Sequence, residues 1–195
     1  MKYFLILFFG ALTFNVVGQS KAISGYDKIG KFEQQRAFVQ IDGKWGIIDW
    51  DGKEIITPQY QRIMPYKDQR ARVLKEKRWG MVNWEGKEII PPIYNSIGVF
   101  RDQKAKVSQD GKWGIIHWEG HEVVPTKYEV IQEYKYGRAL VKAEGKWGII
   151  DESGKEVVPP KYDRIKNFED DRAKVQLNGR WGIINKQGEE IVRVN

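Results

Sequence analysis

The sequence predicts an all-β protein built as a tandem array of five 34-residue units, each of about three short antiparallel strands. Three observations predict it. Trp-Gly recurs at Trp45, Trp79, Trp113, Trp147 and Trp181, always 34 residues on. Tyr60, Tyr94, Tyr128 and Tyr162 keep the same spacing behind Tyr26, as do the aromatics Phe32, Tyr66, Phe100, Tyr134 and Phe168. Between them stand X-Gly turn pairs, prolines and β-branched doublets such as Ile47-Ile48 and Val157-Val158, with no apolar run at helical spacing. That chemistry rules out the helix pairs that share a 34-residue period.

Taken in order, residues 1–18 carry Lys2, an apolar run from Tyr3 to Leu12, and Val16 and Gly18 at the −3 and −1 places of a cleavage site. They are expected to be a secretory signal, since the run is shorter than the roughly 20 residues of a membrane span; an uncleaved anchor is the alternative. Residues 19–195 then form the repeat domain.

In each unit a first strand places alternate residues such as Ala37, Val39 and Ile41 on one face. A tight turn follows at Asp42-Gly43, Asp110-Gly111, Glu144-Gly145 and Asn178-Gly179. The second unit has Glu76-Lys77 there, which predicts a longer or strained hairpin.

In the second strand Trp45 and Ile47 share one face, and Gly46 and Ile48 the other. Gly46 and its equivalents are expected to admit an aromatic ring or backbone from the next unit. The second turn is at Asp51-Gly52, Glu85-Gly86, Glu119-Gly120, Ser153-Gly154 and Gln187-Gly188. A third strand is expected to stop at Pro58, Pro91-Pro92, Pro125 or Pro159-Pro160, followed by an irregular Tyr-to-Phe connector.

A unit this small cannot bury a core alone, so neighbours must stack. The expected stack is an open twisted superhelix. A closed five-unit ring is the alternative, with the Tyr26–Phe32 stretch supplying what the last unit lacks after Val192. The five Trp-Gly tryptophans and Tyr60, Tyr94, Tyr128 and Tyr162 are assigned to the structural core, which predicts a loss of about 3–5 kcal/mol for Trp113→Ala.

The segments Gly145-Lys146-Trp147-Gly148-Ile149-Ile150-Asp151, Gly154-Lys155-Glu156-Val157-Val158-Pro159-Pro160 and Lys161-Tyr162-Asp163 resemble the WG repeat family over essentially the whole mature chain. The resemblance implies a bacterial β-repeat protein, frequently exported, from a family that generally has no assigned molecular activity.

Composition narrows the function classes. The net charge of +7 is dispersed among acidic residues with no basic stripe, so no nucleic-acid partner is expected. Absence of cysteine excludes disulfides and a lipidated cysteine.

No enzyme activity and no cofactor are expected, because nucleophile-base pairs are lacking. No metal site is assigned either; the candidates are His117 and His121, which replace Asp49 and Lys53 of the first unit and can meet across a hairpin, where Glu119 or Glu122 can add oxygen. Asp49, Asp151, Asn83 and Asn185 read as turn-capping residues.

The strongest departure from repetition is Trp50, Trp84 and Trp118 at the second turn of three consecutive units, where Glu152 and Lys186 follow. This row is the candidate ligand-binding face, against the alternative that each ring packs on its surroundings. The expected function is an exported, non-catalytic binding module for a protein or peptide. Glycan binding through the Trp row is second, and a carboxylate hydrolase using Glu119 and Glu122 is last. After signal cleavage the chain is not expected to be an integral membrane protein; periplasm, cell surface and extracellular space remain open.

Overall fold

The computed structural model describes residues 25–194, so the expected signal segment lies outside the described residues. Every regular element among them is a β-strand, and each unit is a four-stranded antiparallel sheet. Repeat 1 comprises β1 (Lys28–Ile29), β2 (Arg36–Ile41), β3 (Lys44–Asp49) and β4 (Glu54–Tyr60). Repeat 2 has β5 (Arg62–Ile63), β6 (Arg70–Lys75), β7 (Arg78–Asn83) and β8 (Glu88–Tyr94), and repeat 3 has β9 (Ser96–Ile97), β10 (Lys104–Gln109), β11 (Lys112–His117) and β12 (Glu122–Tyr128). Repeat 4 follows with β13 (Val130–Ile131), β14 (Arg138–Ala143), β15 (Lys146–Asp151) and β16 (Glu156–Tyr162), and repeat 5 with β17 (Arg164–Ile165), β18 (Arg172–Leu177), β19 (Arg180–Asn185) and β20 (Glu190–Val192).

The three long strands match the expected hairpins. The fourth, two residues long, lies in the stretch expected to be an irregular connector and pairs with the outside of the first long strand, as Ile97 does with Val107. Two residues are too few to carry a period-2 signal.

Each first hairpin turn has both central residues at positive φ, the geometry whose twist matches that of antiparallel strands. Glu76 and Lys77 adopt it too, at φ 50° and 63°, and Lys75 pairs directly with Arg78. That hairpin is therefore strained and no longer than the others. A second turn of the same geometry precedes the first long strand, at Gln34-Gln35, Asp68-Gln69, Asp102-Gln103, Tyr136-Gly137 and Asp170-Asp171. It is closed by reciprocal backbone bonds such as Arg101 to Lys104 at 2.9 Å.

The third strand does not stop at its prolines. β8 runs through Pro91 and Pro92 to Tyr94, with register shifts opposite Trp79 and Met81. It is an outer strand of its sheet, so the missing N–H groups cost little.

The shifted backbone also explains the strand glycines, correcting the expectation that they admit the next unit. A Cβ on Gly80 would lie 2.6 Å from the Ile90 carbonyl oxygen and 2.7 Å from Pro92 N, both in the same repeat. Contact with a neighbouring repeat is made by the second-turn glycines Gly120, Gly154 and Gly188 instead. Gly188, at φ 84°, would set a Cβ 2.6 Å from the Val157 carbonyl oxygen of repeat 4.

The chain divides into two compact units, one ending at Gln59 and the other beginning at Tyr60. In the first, Ala37, Val39 and Ile48 are buried on one face of the sheet, with Tyr26 and Phe32 packed against them. Tyr26 donates to Glu54 at 3.0 Å, and β1 pairs with β2, so the Tyr26 stretch serves the sheet of repeat 1.

In the second unit, each core lies between successive sheets. Met81, Ile90 and Tyr94 of repeat 2 meet Ile97, Ala105, Val107 and Ile116 of repeat 3. The same positions recur between repeats 3 and 4, and between repeats 4 and 5. Strand alternation makes this possible: Ile115 and Ile116 point to opposite faces and are buried in different cores. This stack is open at its end, where Ile191 and Val192 are exposed.

The tyrosines and tryptophans assigned to the core lie at different depths. Tyr60, Tyr94, Tyr128 and Tyr162 are buried. Trp113 is 38 % and Trp181 44 % exposed, and Trp45, Trp79 and Trp147 are half-buried. Each tryptophan stands just after the first turn, where the cross-strand neighbours include Gln40, Ser108, Lys142 and Gln176. The Lys142 ammonium lies 5.9 Å from the Trp147 ring and that of Lys166 5.5 Å from Trp181. Trp79 packs against the edge of its core, and Trp147 and Trp181 lie beneath lysine ammonium groups.

Candidate functional site

The second turn supports the tip tryptophans, and it is built by one side chain. Asp49 Oδ1 accepts the N–H groups of Asp51 and Lys53 at 3.0 and 2.8 Å. Asp151 and Asn185 do the same for their own turns, and Asn83 accepts from Lys87 N at 2.8 Å. These are capping bonds of the kind expected at short polar side chains. Ser153, Lys155 and Arg138 help to hold the Asp151 carboxyl below the usual range, the Ser153 hydrogen bond most strongly.

The tip rings have partners. Trp50, 57 % exposed, meets Phe32 edge-on at 5.0 Å in the first unit. In the second unit Trp84 meets Tyr66 edge-on at 4.8 Å, and the Arg70 guanidinium lies 4.4 Å from the centroid of Trp118. Trp84 and Trp118 are both half-buried. Where the tip is Glu152 or Lys186, a cation at the position of Arg70 reaches the tip backbone: Lys104 Nζ donates to Glu152 O at 2.7 Å and Arg138 to Lys186 O at 3.5 Å. The tip is thus a docking point for a cation from the preceding repeat, and Trp118 fills it with a cation–π contact.

The Tyr row is joined to charge. Tyr60, Tyr128 and Tyr162 donate to Glu88, Glu156 and Glu190 of the next repeat at 2.5, 2.7 and 2.8 Å. Burial, reinforced by these carboxylates, pushes the three phenols well above the ordinary value of 10. Glu156 is held low by Lys127 and then Tyr128, and Glu190 by Tyr162 and then Lys161.

Two grooves lie at repeat junctions that the sequence reading did not single out. One, about 690 Å³, runs between repeats 3 and 4 past Val99, Lys104, Lys106, Glu133, Tyr134 and Glu152. The other, about 510 Å³, lies between repeats 4 and 5 beside Glu133, Tyr136, Arg138, Leu140 and Phe168. Burial, with Asp151 and Glu152 nearby, pushes the Tyr134 phenol up to about 12, and it donates to Asp151 O at 3.1 Å. Glu133 is held low by its 2.9 Å bond from Lys106.

Tyr136 is 95 % exposed at φ 51°, where the other repeats have Gln34, Asp68, Asp102 and Asp170. An aromatic in place of turn residues was the signal in the sequence.

His117, Glu119 and His121 form a third feature. Their potential ligand atoms lie within 4.8 Å of one another, the only such group of three among the described residues. The imidazoles stack at 4.4 Å between centroids and 23° between planes. Glu122, the other carboxylate considered with them, begins β12 and is not part of this group.

A model of the WG containing repeat matches the chain in five consecutive segments, residues 24–45, 45–79, 79–113, 113–147 and 147–181. The chain belongs to the WG repeat family. No curated protein matches it significantly.

Among solved structures, this WG repeat protein is similar to PorZ, a surface component of the type-IX secretion system of Porphyromonas gingivalis. The two are 11 % identical with a TM-score of 0.33, over 86 % of this chain and 26 % of that one. Hsv2p of Kluyveromyces lactis shares 13 % identity and a TM-score of 0.33, over 85 % of this chain and 63 % of its own. An extracellular domain ascribed to a hybrid two component system of B. thetaiotaomicron shares 11 % at 0.31, over 82 % and 26 %. The WG repeat chain thus spans less than two thirds of each of these structures, and at these TM-scores the likenesses say nothing of its ligand. No helix among its described residues is long and apolar enough to cross a membrane.

Proposed function

We propose that this WG repeat protein is an exported, non-catalytic binding module that holds an extended segment of a protein partner in the grooves between successive repeats. The observation that carries this reading is Tyr136. A tyrosine held almost wholly in solvent, in a left-handed conformation that favours glycine or asparagine, contributes little to folding and presents a large amphipathic ring beside an open groove. Aromatics of this kind supply contact area at low entropic cost. The groove walls carry both signs of charge, Lys104, Lys106 and Arg138 against Glu133 and Glu152, which suits a polypeptide better than a polyanion.

The non-catalytic part rests on the carboxylates. Asp49 and Asp151 cap their turns, and Glu88, Glu156 and Glu190 accept from the tyrosine row, which gives these carboxylates structural work. Export rests on the N-terminal sequence alone.

The test is affinity capture from the native envelope fraction with wild type, Tyr136→Ala and Val99→Ser. We expect one protein retained by wild type and at least tenfold less by Tyr136→Ala; equal retention by all three chains defeats the reading. Glycan binding is the second reading, favoured by the open ring of Trp50. A saturable glycan interaction that disappears in the triple Trp50→Ala, Trp84→Ala, Trp118→Ala variant would replace the first.

A further inference from the structure

The second turn of repeat 3 departs from the other four at both flanks of the tip. His117 stands where they have Asp49, Asn83, Asp151 and Asn185, and His121 where they have Lys53, Lys87, Lys155 and Glu189. Turn closure does not explain the exchange. Asp49, Asp151 and Asn185 each accept two backbone N–H groups at 2.8–3.0 Å, whereas His117 Nδ1 accepts from Glu119 N at 3.3 Å. The backbone fold of the turn is unchanged, with His117 N donating to His121 O at 2.9 Å. It therefore holds two imidazoles face to face across the hairpin mouth.

The remaining geometry points to a ligand. His117 Nε2 lies 3.0 Å from Gln103 Oε1. With Gln103 Oε1 as acceptor, Nε2 carries the proton and the Nδ1 lone pair faces the turn, where it accepts the long 3.3 Å bond from Glu119 N that an ion would replace and where Glu119 Oε2 lies 3.6 Å away. Histidine ligands commonly donate their second N–H to such a partner, which fixes tautomer and ring orientation.

We propose that His117 Nδ1, His121 and a Glu119 carboxylate oxygen bind one divalent transition ion of the zinc class, with Gln103 as a positioning residue. Two imidazoles and a carboxylate suit zinc, nickel or copper and disfavour calcium and magnesium. Tetrahedral zinc with bonds near 2.0–2.2 Å sets its ligand atoms about 3.3 Å apart. The exposed Glu119 and His121 side chains close the remaining distance by rotation, His121 turning out of its stack so that both ring planes meet at the ion, and the fourth position is left to water or to a donor from a bound partner. The site stands independently of the groove reading.

The chain has only two histidines, so the imidazole C–H resonances of tag-free protein report this site alone. Titration with zinc sulfate should shift both sets of resonances together and saturate at one ion per chain. Gln103→Ala should weaken binding about tenfold. The double variant His117→Asp, His121→Lys installs the corner of repeat 1 and keeps its capping acid, so it should fold with an unchanged β-type circular dichroism spectrum and lose the stoichiometric heat of binding. Equal zinc affinity in that variant, or no saturation of the wild type below 1 mM zinc, overturns the proposal.

Discussion

At the scale of single residues, the strain at Lys77 and the Tyr–Glu bonds have measurable consequences. Lys77 holds φ 63° where the other first turns have glycine, and a side chain in that region costs about 1–2 kcal/mol. Its backbone N–H donates to Gln61 Oε1 at 2.9 Å, a bond that glycine keeps. Lys77→Gly should therefore stabilise the chain by about 1 kcal/mol, read from the urea midpoint. Gly148→Ala should do the opposite: the added Cβ would lie 2.6 Å from the Val158 carbonyl oxygen, and overpacking of this kind costs about 1–3 kcal/mol. The Tyr row predicts the alkaline limit. Its phenols stay protonated in the folded chain above the pH near 10 at which unfolded tyrosine ionises, so their stabilisation is complete below that pH and withdrawn as pH rises past it. Absorbance at 295 nm should show them ionising only with unfolding. Glu156 and Glu190 act at the acid limit, because they are held below the ordinary 4.5. Their contribution is present above that pH and lost as pH falls through the folded values.

At the scale of the strand and turn, tyrosine lies deeper than the tryptophan that shares its spacing. Tyr162→Ala empties a buried position between repeats 4 and 5 and should cost about 3–5 kcal/mol. Trp113→Ala, at a half-exposed rim, should cost only about 1–2 kcal/mol by the apolar area it uncovers; paired thermal melts check the order. The sequence carried the repeat, the three long strands and both X-Gly turns, since each has a local signature. It could not reveal that Trp113 faces Ser108 across the hairpin, because period-2 patterning assigns faces and not depth. The turn at Asp68-Gln69 was illegible for another reason: Asp68 tolerates positive φ, but Gln69 stands where a turn signature would have glycine, and the pairing of Lys67 with Arg70 imposes the conformation. In the candidate site, the tip tryptophans and the His pair stood out as departures from repetition. Their partners Arg70 and Gln103 did not, because they lie 48 and 14 residues away from Trp118 and His117.

At the scale of the molecule, the cores of the second unit are made by neighbours, so a middle repeat is exchangeable. Deleting residues 96–129 would set Met81, Ile90 and Tyr94 against Ile131, Ala139, Val141 and Ile150, the same kinds of side chain that repeat 3 presents. The shortened chain should still fold cooperatively, with a lower melting temperature for the lost interface. Five sheets in one chain also raise a problem of solubility, because each offers two outer strands as templates for pairing with other molecules. One is blunted by brevity, as in β5, β9, β13 and β17 with two residues each. Among the opposite strands, β4, β8, β12 and β16 are interrupted by Pro58, Pro91-Pro92, Pro125 and Pro159-Pro160. The prolines that look like strand terminators therefore interrupt the backbone ladders of these four outer strands and guard them against pairing with other molecules.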